Sequence, residues 1–95
     1  MNENLEVIIF TQRNCPPCAA LKPILLKLQD LHKFRVRIVE ASAESRDLFM
    51  KYGIRSAPTV VCVDTEADKE IGRFNNVGPA LVVEQYLKNW GVIKK

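Results

Sequence analysis

The chain is poor in the residues from which specialised sites are most often built. It holds one His, one Trp, four Gly and three Cys in 95 residues. Three cysteines, an odd number, do not make the disulfide framework that stabilises small secreted domains. Apart from the close pair Cys15 and Cys18, the remaining soft ligands are Cys62 and His32. Cys62 lies among valines, where a thiol behaves as a small apolar group, and His32 falls late in a helical pattern. A four-ligand zinc or iron–sulfur centre is therefore not expected, nor is any other bound cofactor. No apolar run approaches the ~20 residues that span a bilayer. The opening MNENLEVIIF carries Asn and Glu where a secretory signal carries Lys or Arg, so the expected location is the cytoplasm. A net charge of +3, with fourteen basic side chains scattered among eleven acidic ones, does not point to nucleic acid.

What is present suits one soluble domain over residues 1–95. Apolar residues make up 47% and charged ones 26% of the chain, and two cores would each be too small to offset chain entropy. Leu5 to Phe10 (LEVIIF) is a nearly continuous apolar run, which marks a strand buried on both faces near the centre of a sheet. From Pro16 to Lys33 the period becomes helical, with Cys18, Leu21, Leu25, Leu28 and Leu31 or His32 on one face. Pro16 and Pro17 fit the first turn, where a missing N–H is harmless, whereas Pro23 lies inside the helix and predicts a kink.

Phe34 to Val39 alternates apolar with basic residues as a half-exposed strand does. Ser42 or Ser45 then introduces a short helix through Lys51, closed by Gly53. Thr59 to Asp64 and Lys69 to Phe74 are strands joined by a four-residue turn, hence antiparallel. Pro79 starts a last helix with Leu81 or Val82, Val83, Tyr86, Leu87 and Trp90 on its apolar face, ended by Gly91. The first helix should carry the chain to a parallel neighbouring strand by a right-handed crossover. The expected fold is α/β: a mixed four-stranded sheet in the order βαβαββα, flanked by three helices.

The chemistry concentrates in NCPPC, residues 14 to 18. Cys15 directly precedes a helix, where unpaired amides and the helix dipole favour an anion, so its thiol should ionise below the ~8.5 of a free thiol. Cys18, one turn on, lies within disulfide reach and faces inward. The asymmetry assigns Cys15 as the nucleophile that attacks a substrate disulfide and Cys18 as the thiol that resolves the mixed disulfide. The two prolines hold the loop near one geometry. They also remove two amide donors, leaving the Cys18 N–H as the nearest one to the Cys15 sulfur, which predicts a smaller acidification than the dipole alone would bring.

With a CxxC between strand and helix, a proline five residues later, the segment YGIRSAPT from Tyr52 to Thr59, and Val77-Gly78 late in the chain, the sequence resembles the thioredoxin superfamily over nearly its whole length. The resemblance implies a thioredoxin-like fold and a thiol–disulfide oxidoreductase acting on protein disulfides. It implies a cis Pro58, with the backbone of Ala57 and the Gly78 loop lining a substrate groove beside Cys15. Implied partners are a flavoprotein thioredoxin reductase as electron donor and, by analogy, ribonucleotide reductase as a client of a monomeric protein. Two departures stand out. Ile9 occupies the first-strand position where thioredoxins commonly carry a buried Asp, and Asn14 replaces their Trp before the first cysteine.

The glutaredoxin branch is the alternative. FTQRNCPPC is similar to its opening, and Gln12 or Arg13 would touch a glutathione carboxylate. Its Gly-Gly and Asp after the fourth strand are missing from GRFNNVGP, however, as is the Tyr of its CPYC. A second alternative is a thioredoxin-fold binding module with an idle dithiol.

Overall fold

The apolar run of LEVIIFT becomes β1 (Leu5–Thr11), which leads into α1 (Pro16–His32) in the computed structural model, which describes residues 4–75 and 78–94. Then follow β2 (Arg35–Glu40), α2 (Arg46–Lys51), β3 (Thr59–Asp64), β4 (Lys69–Phe74) and α3 (Ala80–Trp90). Val77 and Lys95 lie outside the described residues.

The four strands stand in the order β2-β1-β3-β4. β2 runs parallel to β1, as the crossover through α1 requires, whereas β3 is antiparallel to β1 and β4 antiparallel to β3. The two most apolar strands thus take the interior positions. β2 lies at an edge, with Ile38 45% exposed. At the other edge, the β3–β4 register slips by one residue between Cys62 and Val63, leaving Ile71 as a bulge on β4.

Strand alternation divides the core between the two faces. Val7 and Ile9 of β1, with Val60 and Cys62 of β3, meet Leu21, Leu25, Val83 and Leu87 from α1 and α3. Ile8, Phe10, Val61 and Val63 point the other way, toward Leu48, Phe49 and Tyr52 of the α2 region. Full burial of each such side chain contributes about 1.5–3 kcal/mol before the opposing chain entropy. The buried face of α1 is Cys18, Leu21, Leu25 and Leu28, as its spacing predicts; of the open pair at its end, Leu31 is exposed and His32 partly covered. In α3 both Leu81 and Val82 are exposed, contrary to expectation, because its contact with the sheet runs through Val83 and Leu87.

The ends of the helices explain themselves locally. α1 runs through Pro23 and closes on Lys33 in a left-handed conformation, φ 57°, with its N–H on the Gln29 carbonyl. Ser45 stands at the N-cap of α2, but its hydroxyl donates to the Glu40 carbonyl at 2.7 Å rather than capping the helix. α2 ends as expected at Gly53, φ 61°, with Ile54 N–H returning to the Phe49 carbonyl at 2.9 Å. Gly72 on β4 answers a different demand. A Cβ there would run into the indole Nε1 of Trp90 and come within 3.1 Å of two of its carbons. Trp90 stacks on Phe74 and packs at a tilt against Tyr86, so the lone Trp belongs to the packing of α3 on the sheet.

Candidate active site

Thr11 ends the central strand, and the chain turns toward α1 through Asn14, which has φ 54°. Asn is among the few side chains that enter this left-handed region readily, a local reason for it to precede Cys15. Cys15 is extended, with φ −119° and ψ 93°, and takes the N-cap position of α1. Pro16 and Pro17 fill the first two helical positions without an N–H to offer. The first available amide, on Cys18, donates to Cys15 Sγ at 3.2 Å. The sulfur thus does what an N-cap oxygen usually does, accepting from the third helical residue. The Cys15 carbonyl accepts from Ala19 N–H at 3.0 Å. No acidic side chain occupies the first turn of the helix to oppose a negative charge on Cys15.

Cys15 and Cys18 are joined in a disulfide, with their Cα atoms 5.2 Å apart. Their surroundings differ sharply. Cys15 is half-buried, whereas Cys18 is 2% exposed against the sheet. Ile9 is fully buried on the same face, so that position supplies hydrocarbon where a carboxylate would serve as a base.

Of the residues implied by resemblance, Ala57 and Pro58 come to the dithiol. The Ala57–Pro58 peptide is cis, and the Ala57 carbonyl oxygen lies 3.8 Å from Cys15 Sγ. Thr59 braces this turn: its buried hydroxyl donates to the Ser56 carbonyl at 2.7 Å, across the proline. The nearest atoms around a Cβ built at Gly78 belong to Val82 of α3, at 3.2 and 3.3 Å, so Gly78 lets its loop pass close to that helix.

On the other side of Cys15 is an open cleft of about 520 Å³, bounded by Gln12, Arg13, Asn14, Pro16, Lys22 and Glu40 among others. Arg13 pairs with Glu40 at 3.6 Å across its rim. With both side chains well exposed, that ion pair contributes at most about 1 kcal/mol. Glu40 gave no sign of its role in the sequence; it lies next to the site only through strand pairing.

The third cysteine is separate. Cys62 is fully buried in β3, and its thiol is pushed up to about 12, first by burial and second by the Asp64 carboxylate. Among the described residues no group of three or more His, Cys, Asp or Glu is arranged to hold a metal. No described helix is long and apolar enough to cross a membrane.

A redox pair that closes between a central strand and the helix following it, with a proline turn facing its outer sulfur, defines a thiol–disulfide oxidoreductase of thioredoxin-like fold. The family model described as thioredoxin matches residues 1–88, and the chain belongs to that family. No curated protein matches the sequence. Among solved structures, Chlamydomonas reinhardtii thioredoxin f2 superposes with a TM-score of 0.77 at 20% identity, over 94% of this chain and 82% of its own. A mutant thioredoxin from Halobacterium salinarum gives 0.80 at 18% identity, over 93% and 75%. The oxidized form of mitochondrial thioredoxin 3 from Saccharomyces cerevisiae gives 0.71 at 25% identity, over 93% and 80%.

Proposed function

We propose that this protein is a small thioredoxin that reduces protein disulfides in the cytoplasm, with Cys15 as nucleophile and Cys18 as resolving thiol. The observation that carries the reading is the unequal exposure of the two sulfurs, combined with the amide hydrogen bond to the outer one. In the reduced protein the Cys15 thiolate attacks one sulfur of a client disulfide. A Cys15–client S–S bond forms, and the other client sulfur leaves as a thiolate that takes a proton. Cys18 then attacks Cys15 Sγ. The Cys15–Cys18 bond forms, the second client sulfur departs, and the proton released by Cys18 ends on it. Two electrons have passed from the pair to the client. With Ile9 where a carboxylate would stand, the departing thiolate or water serves as the base for Cys18.

An extended client segment fits beside Ala57, whose carbonyl faces the outer sulfur. The electron donor in this reading is a flavoprotein thioredoxin reductase, and ribonucleotide reductase is one client by family analogy. A glutathione-dependent cycle is the second reading, favoured by the cleft that Gln12, Arg13 and Lys22 line beside Cys15. The Gly-Gly and Asp expected for it are absent from GRFNNVGP. A non-catalytic binding module is disfavoured by a dithiol already placed to close.

Insulin reduction discriminates among the three. The thioredoxin reading expects turnover with NADPH and a thioredoxin reductase, and little with glutathione and glutathione reductase. The opposite preference selects the glutaredoxin reading, and no acceleration even with dithiothreitol selects the binding module.

A further inference from the structure

Thr11 Oγ1 is the one buried side-chain polar atom without a hydrogen-bond partner among the described residues. The residue is 1% exposed. An unpaired buried hydroxyl is costly, and one in a native fold calls for an explanation. Its position supplies one. Thr11 pairs with Glu40 on β2, and continuing the β1–β3 register by one residue puts it beside Pro58. Alternation along β1 places it on the face of Val7 and Ile9, which α1 covers. α1 follows β1 through a short loop and its first buried residue is Cys18, so the inner sulfur and Thr11 belong to the same end of the sheet.

We propose that Thr11 is a positioning residue for the resolving thiol, its hydroxyl pairing with the Cys18 sulfur only when the disulfide is open. The inference rests on the reading that Cys15 and Cys18 cycle. In the disulfide Cys18 has no S–H to donate, and Thr11 Oγ1 makes no hydrogen bond to either sulfur. When an external dithiol supplies two electrons, the S–S bond breaks and each sulfur gains a proton or a negative charge. The Cys18 S–H then donates to Thr11 Oγ1, or the Cys18 thiolate accepts from the hydroxyl. A hydrogen bond made in one redox state alone stabilises that state, so Thr11 favours the reduced form. This matters here because Ile9 leaves the inner sulfur without a carboxylate partner from that position.

The test is equilibration of the full chain with glutathione redox buffers, for wild type, Thr11→Val and Thr11→Ser. Thr11→Val should move the dithiol–disulfide equilibrium about five- to tenfold toward the disulfide, roughly 20–30 mV more negative at ~30 mV per decade for a two-electron couple. Thr11→Ser, which keeps the hydroxyl, should stay near wild type. The melting temperature of the Val variant should fall in the reduced form and hold or rise in the oxidised one, a divergence that lost packing alone does not produce. Thr11→Ala repeats the comparison if Val folds poorly. An unchanged equilibrium in Thr11→Val, or a Ser variant that behaves like Val, overturns the proposal. Failure of the wild type itself to exchange with glutathione or reduce insulin would instead sink the functional reading.

Discussion

Cys15 caps the helix that follows β1, Cys62 lies in the middle of the neighbouring strand β3, and almost everything that governs a thiol differs between them. Cys15 meets a helix N-terminus, an amide donor at 3.2 Å and solvent on one side. Cys62 lies inside the apolar cluster between the sheet and α1 and α3, with its thiol pushed up to about 12 by burial and then by the Asp64 carboxylate. A strand residue offers its sulfur only the face it points to, whereas a helix cap offers uncommitted N–H groups and the positive end of a dipole. The same element of chemistry therefore becomes a reagent at the strand's end and a packing unit in its middle.

The strongest way to break this comparison is to exchange the sulfurs for oxygen. Cys15→Ser should reduce insulin turnover to the uncatalysed rate, and Cys18→Ser should accumulate a covalent mixed disulfide on Cys15. Cys62→Ser should keep the wild-type rate per folded molecule. Loss of turnover in that last variant would mean that the buried thiol takes part.

Alkylation of the reduced protein sharpens it. At pH 8, a thiol with a pKa of about 12 is only ~10⁻⁴ ionised, so iodoacetamide should modify Cys15 at least about 100-fold faster than Cys62. Peptide mass spectrometry over a time course reads the two rates, and comparable rates would remove the distinction. Cys18 should follow Cys15 slowly, held back by its burial.

Smaller effects concern the framework around Cys62. Gly72 pairs with it across β3 and β4 and lies under Trp90, so Gly72→Ala should cost about 1–3 kcal/mol by overpacking. Calorimetry should show the loss while the alkylation rate of Cys15 is unchanged. The smallest effect expected is at Glu70, whose carboxyl is held below its usual value by the hydrogen bonds from Arg73. A depressed carboxylate stabilises the fold above its unfolded pKa, and that contribution is lost as pH falls through the folded value. With both side chains about a third exposed, Glu70→Gln should cost no more than about 1 kcal/mol at neutral pH, and the difference from wild type should vanish in acid.

Much of this molecule was legible from local pattern. The elements, the buried stripe Cys18, Leu21, Leu25 and Leu28, the left-handed closure at Gly53 and the place of the dithiol follow from residue spacing, because the forces that set them act within a few residues. The left-handed Lys33 was not legible, since a Lys in that conformation carries no compositional mark, and neither was the bulge at Ile71, which exists only relative to the partner strand. Nor was the exposure of Leu81 and Val82, which depends on how α3 is rotated against the sheet.

By itself, the chain of residues determined that one thiol would cap a helix and a second would lie one turn inside it, because N-cap chemistry and helical period are local. Only the tertiary structure decided that Ala57 would face the outer sulfur, that Glu40 would border its cleft and that the Thr11 hydroxyl would be buried. These residues are separated by many positions in the chain, and hydrogen-bonded register together with burial of both sheet faces is what brings them to one end of β1.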